Sequence, residues 1–161
     1  MINVAFVCLG NICRSPMAEL IFKDLIKERK LDLSFRVSSF GTSDCEEGNS
    51  IYPPAKRTLI MHGIPGSHVA KQISLKDVKN NDYILVMDSS NLLDMLRLTG
   101  GNYGEKIFKL CSFTHRPRDV ADPWYTRDFE TAFSDIEDGC KCFLEYILKE
   151  KAEALDYDRR H

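Results

Sequence analysis

The stretch Ile2-Asn3-Val4-Ala5-Phe6-Val7-Cys8-Leu9-Gly10-Asn11-Ile12-Cys13-Arg14-Ser15-Pro16 decides how the chain reads. Ile2 to Cys8 is a near-continuous apolar run, as expected of a parallel strand covered on both faces. It is too short, and too poor in preceding basic residues, for a secretory leader. A helix is predicted to open at Ser15-Pro16, with Ser15 as N-cap and Pro16 at the first helical position. Ala18, Ile21, Phe22, Leu25 and Ile26 continue it at helical spacing. The six residues between are a strand-to-helix loop, where backbone N–H groups and a helix N-terminus can hold an oxyanion.

Working outward, the same alternation recurs. Phe35 to Phe40 reads as a second strand, and Pro53-Pro54 opens a helix that stops at His62-Gly63. Tyr83 to Met87 reads as a third strand, and Ser89 or Ser90 is expected to cap the helix carrying Leu92, Leu93, Leu96 and Leu98. Ile107 to Cys111 is a fourth, shorter strand. The last helix begins near Asp128, with a core stripe of Phe129, Phe133, Ile136, Cys140, Phe143 and Ile147, and the tail from Asp156 to His161 reads as frayed. Strands alternating with helices predict an α/β protein, most simply a four-stranded parallel sheet with helices on both faces. Ligands of such sheets bind beyond the carboxyl ends of the strands.

Composition sets the outer bounds. The chain has 161 residues, 43% of them apolar, enough for one core and one domain over residues 1–161 without disulfides or metals. Lys plus Arg is 22 and Asp plus Glu is 24, a net charge of -2, which argues against a nucleic-acid partner but not against a small anion. No apolar run reaches the ~18 residues of a membrane helix. The six cysteines, at 8, 13, 45, 111, 140 and 142, read as reduced thiols of a cytoplasmic protein.

Within the loop, Gly10 and Asn11 are the residues most tolerant of left-handed backbone angles. Arg14 offers a planar fork for two phosphate oxygens, and the cradle with Arg14 favours Cys8 as its thiolate. A thiolate facing a bound phosphoryl group is a nucleophile facing its target. A nucleotide-binding loop would need Gly-Lys followed by Ser or Thr, which is absent. Asp122, taken alone, is a turn residue of an Asp-Pro pair. His68 alone reads as a solvated or core histidine, and Asp88 as a helix cap.

Cys8 to Pro16 with Met17-Ala18-Glu19 resembles the signature of the low-molecular-weight protein tyrosine phosphatases (also acid phosphatases), and Asp122-Pro123-Trp124-Tyr125 resembles their general-acid loop. The likeness extends through Arg36 to Ser39, His62 to Pro65 with Ser67-His68, Asp82 to Leu85, and Met87-Asp88 with Ser90-Asn91. It implies a Rossmann-like, three-layer sandwich with strand order 2-1-3-4. It also implies a metal-independent, cofactor-free hydrolase of phosphotyrosine proteins and aryl phosphates, inhibited by phosphate and vanadate and expected to be a monomer.

In that reading Cys8 forms a phosphocysteine, Arg14 and the loop from Leu9 to Ser15 hold the phosphoryl oxygens, and Asp122 protonates the leaving phenolate. Ser15 serves the Cys8 thiolate, Asn11, Ser39 and His68 brace the loop, and Asp88 orients Arg14. Leu9, Ile12, Trp124 and Tyr125 wall the aromatic ring. Cys45 stands where the family often has an aromatic. Cys13 is implied as a redox partner of Cys8, the bland alternative being a packing thiol; Cys111, Cys140 and Cys142 read as packing. Three other readings compete. Thioredoxin-coupled arsenate reductase needs two relay cysteines, and residues 78–106 contain none. Protein arginine phosphatases place Thr where Ile12 stands. A non-catalytic phosphotyrosine-binding module would have no use for Cys8, Arg14 and Asp122 together.

Overall fold

The computed structural model describes residues 1–160, with side chains to residue 152. Four strands, β1 (Ile2–Cys8), β2 (Phe35–Gly41), β3 (Tyr83–Val86) and β4 (Ile107–Lys109), form an all-parallel sheet of order β2-β1-β3-β4. The expected fold and strand order are those found. β1 is central, paired from Ile2↔Phe35 to Cys8↔Gly41 on one side and from Val4↔Tyr83 to Val7↔Val86 on the other.

Two helical layers explain the apolar run Val4 to Cys8 of β1. Val4, Phe6 and Cys8 face α1 (Arg14–Glu28) and α6 (Phe129–Arg160), in a core with Met17, Ile21, Phe22, Phe133, Ile136 and Phe143. Ala5 and Val7 face the opposite layer, where Val78 of α3 (Leu75–Asn80) and Met95 of α4 (Ser89–Thr99) pack with Ile84, Val86 and Ile107. Strand side chains alternate between faces, so a strand buried on both sides has no polar positions to show. Phe22 anchors the first layer, with ring centroids 5.6 Å from Phe6 and 5.7 Å from Phe143. Cys111 and Cys140 are fully buried, and burial pushes the Cys111 thiol up to about 11.

Several sequence expectations are corrected. Helix α1 opens two residues early, with Arg14 in place of Pro16 as its first residue and Cys13 as N-cap without a side-chain cap, so Ser15 is not the cap. Its hydroxyl turns inward to the loop instead. Asp88, not Ser89 or Ser90, caps α4, in a reciprocal box with Asn91. Helix α3 had no counterpart in the pattern; at six residues it shows no full apolar period, and only the Ser74–Asp77 capping box marks it. The strand expected to reach Cys111 ends at Lys109 and passes into a 3-10 turn. Helix α2 (Pro53–Met61) stops at His62-Gly63 as expected, with Gly63 at φ 76°. The frayed tail expected over 156–161 lies outside the residues described in full.

Candidate active site

All four carboxyl strand ends point to one edge of the sheet. Between β1 and β3 the strand order reverses, and the loop from Cys8 to Arg14 fills that position. The carbonyls of the loop are bound outward. Cys8 O accepts from Thr42 N (2.9 Å), Leu9 O from Ser43 N (3.0 Å), Ile12 O from Tyr52 N (2.9 Å) and Cys13 O from Met17 N (3.1 Å). Carbonyls committed to the surroundings leave the amide side of the loop for an anion. Asn11 N donates to Cys8 Sγ at 3.3 Å, one amide already directed at the sulfur.

Only one of the two expected left-handed residues is left-handed. Asn11 has φ 59°, whereas Gly10 keeps a negative φ. The side chain of Asn11 fixes that conformation: Nδ2 donates to Ser15 Oγ (2.7 Å) and Ser39 Oγ (3.1 Å). Its Oδ1 accepts from Lys71 N (3.0 Å) and lies 2.7 Å from His68 Nε2. Ser15 Oγ is 2.9 Å from Cys8 Sγ. The expected network of Asn11, Ser15, Ser39 and His68 is thus contiguous.

Sequence reasoning missed its buried anchor. Glu19, one turn after Ser15 on α1, is 6% exposed; its carboxylate accepts from Ser39 Oγ (2.7 Å) and Lys23 Nζ (2.6 Å) and lies 3.4 Å from His68 Nδ1. Burial holds His68 below the ordinary histidine pKa, against the pull of Glu19. The available signal was a carboxylate within the buried face of α1. Gly41 was missed too. A Cβ there would sit 2.8 Å from Leu9 O, so only glycine lets β2 end against the loop.

Arg14 is 2% exposed and held from two sides. Its Nη1 donates to Asp88 Oδ2 (2.6 Å) and to Val120 O (2.8 Å). Asp88 keeps its other oxygen for the α4 cap, accepting from Asn91 N at 2.8 Å, so both readings of this residue hold geometrically. Burial alone would lower the guanidinium pKa, but Cys8, Asp88 and Asp122 together hold it above its ordinary value. Its Nη2 lies 3.4 Å from Asp122 Oδ2, a long contact that a phosphoryl oxygen can replace. Asp122 also caps α5 (Pro123–Thr126), accepting from Trp124 N at 3.0 Å through Oδ1. One carboxyl oxygen is fixed by the turn, the other faces the guanidinium.

The resulting cleft, of about 200 Å³, is lined by Cys8 to Arg14, Cys45, Glu46, Asp122, Trp124 and Tyr125. Cys8 is 3% exposed and lies deep; Leu9, Trp124 and Tyr125 are exposed at the mouth. Ile12 is buried, so its side chain contributes little open wall. Burial, reinforced by the neighbouring Cys8 and Asp122, pushes the Cys13 thiol up to about 12. Among the described residues, no group of three or more His, Cys, Asp or Glu side chains is placed to hold a metal ion.

The pattern of the family described as low molecular weight phosphotyrosine protein phosphatase matches residues 3–153. The human protein named low molecular weight phosphotyrosine protein phosphatase is 41% identical over 148 residues, covering 89% of this chain and 94% of that protein. The crystal structure of YfkJ from Bacillus subtilis aligns with a TM-score of 0.90 at 37% identity, covering 94% of this chain and 97% of that one. DARP, a Drosophila arginine phosphatase, aligns with a TM-score of 0.83 at 33% identity, covering 89% and 96%.

Proposed function

Because the chain belongs to the low molecular weight phosphotyrosine protein phosphatases, we propose that it hydrolyses phosphotyrosine through a phosphocysteine formed on Cys8. One observation carries the reading. Cys8 and Arg14 at the two ends of the β1–α1 loop, a nucleophile and an anion fork, and Asp122 from the distant segment before α5, a carboxyl group, line one cleft. Cys8 attacks phosphorus while Arg14, pinned by Asp88 and Val120 O, holds two equatorial oxygens, where transition-state charge is spread. Asp122 protonates the departing phenolate, then takes the proton of the water that frees phosphate. The phenol, with a pKa of about 10, is a better leaving group than an alkoxide, and a ring seated between Leu9 and Trp124 reaches deeper than a phosphoserine. Ser15 stabilises the Cys8 thiolate as it leaves phosphorus.

The reading extends to a monomeric cytoplasmic enzyme that oxyanions such as vanadate inhibit. Unbridged cysteines support that compartment, and no helix among the described residues is long and apolar enough to cross a membrane. The Drosophila arginine phosphatase shares the fold, so substrate must be decided by assay. Purified enzyme with a chelator present should hydrolyse an aryl phosphate and a phosphotyrosine peptide, with vanadate competing. Faster turnover of phosphoarginine than of phosphotyrosine would overturn the assignment.

A further inference from the structure

Arg127, beside the cleft, has no part in the proposed chemistry. It follows α5 at φ 60°, a left-handed position uncommon for a long side chain. Its guanidinium lies over two rings, 5.4 Å from the Tyr52 centroid and 5.6 Å from Phe129. Nη2 donates to Tyr52 Oη at 3.0 Å, and Nη1 reaches Trp124 O at 3.5 Å. Tyr52 in turn packs on Trp124, with centroids 4.9 Å apart, and Trp124 lines the cleft. The cation is therefore stacked into position beside the mouth. It pairs with no carboxylate among the described residues, whereas Arg14 and Arg118 each pair with two.

A stacked arginine loses little further side-chain freedom when it takes an anion, because its planar fork is already oriented. The other segment at the mouth carries the opposite charge, with Glu46 in the lining and Asp44 and Glu47 beside it. An anionic group flanking the substrate ring is thus repelled on one segment and met on the other. We propose that Arg127 is a specificity residue that reads an Asp or Glu side chain adjacent to phosphotyrosine in polypeptide substrates. The proposal rests on the tyrosine phosphatase reading and adds to it which peptides are preferred. A small aryl phosphate, which has no flanking residue, does not reach Arg127.

The test compares two phosphotyrosine peptides that differ only in carrying Asp or Asn on both sides of the phosphotyrosine, with a small aryl phosphate as reference. An exposed ion pair is worth about a two- to fivefold preference in kcat/KM for the Asp peptide, shrinking as salt is raised. Arg127→Gln should abolish the preference and leave aryl phosphate turnover unchanged. Arg127→Lys should keep part of it, as a charge without the planar stack. Equal rates on both peptides in the wild type, or a preference that survives Arg127→Gln, would overturn the proposal. So would a loss of aryl phosphate turnover in Arg127→Gln, which would make Arg127 a prop for Tyr52 and Trp124. Wild-type enzyme inactive on the aryl phosphate itself would instead overturn the phosphatase reading.

Discussion

Asn11 offers the sharpest perturbation, because one buried side chain sets the shape of the loop. It is 1% exposed and joins Ser15, Ser39, His68 and the Lys71 amide through four hydrogen bonds of 2.7 to 3.1 Å. At about 1 kcal/mol net for each bond, removing the amide costs about 4 kcal/mol, part of it from the stranded Lys71 N–H. Asn11→Ala adds about 1 kcal/mol more, because φ is 59° and a Cβ without a local hydrogen bond disfavours that region. Asn11→Gly loses the same bonds without that strain. The expected order in urea unfolding is wild type, then Asn11→Gly about 4 kcal/mol lower, then Asn11→Ala about 1 kcal/mol below that. Both variants should lose about a hundredfold in kcat/KM, since a loop displaced by an ångström misplaces Cys8. A loss under about 1 kcal/mol in Asn11→Ala, or equal stability of the two variants, would refute the assignment of Asn11 as the strut.

Three further outcomes follow from the same geometry. Asp122→Asn should slow aryl phosphates in proportion to leaving-group pKa, so a leaving-group series steepens; equal losses across it would return Asp122 to its α5 cap. Peroxide-inactivated enzyme should regain activity with dithiothreitol through a Cys8–Cys13 disulfide, and Cys13→Ser should lose that recovery. Peptide mapping of a bridge to Cys45 would contradict it. His68 is held below its ordinary value by burial, so its proton binds more weakly in the folded than in the unfolded chain. Stability is full above the ordinary histidine range, about pH 6.5, and declines as pH falls below it. Calorimetry across that window should show a shallower decline in His68→Gln, and an unchanged one would remove the effect.

How much of this was legible in the sequence depends on whether the determining signal was local. β1 was legible because burial on both faces writes itself as an apolar run, and α6 because its stripe repeats over many turns. Ser15 reads as a cap because a serine before proline usually is one. That its hydroxyl turns to Cys8 depends on Phe40 O and Asn11, which the fold brings together from elsewhere. Asp88 was ambiguous for a good physical reason, since its two oxygens serve two purposes. Gly41 and the Val120 carbonyl were invisible, because each acts through a partner far along the chain, and Glu19 showed only as a carboxylate on the buried face of α1. Cys8, Arg14 and Asp122 are candidates on chemistry and resemblance. That they share one cleft required the crossing from β1 to β3.

The central claim is the covalent step at Cys8. Rapid acid quenching of enzyme mixed with an aryl phosphate, followed by mass mapping, measures it directly. A burst of phenol equal to the enzyme concentration is expected, with one phosphoryl group on the peptide bearing Cys8, and neither burst nor label in Cys8→Ser. Steady turnover without a burst, a label on another residue, or Cys8→Ser activity within an order of magnitude of wild type would contradict it.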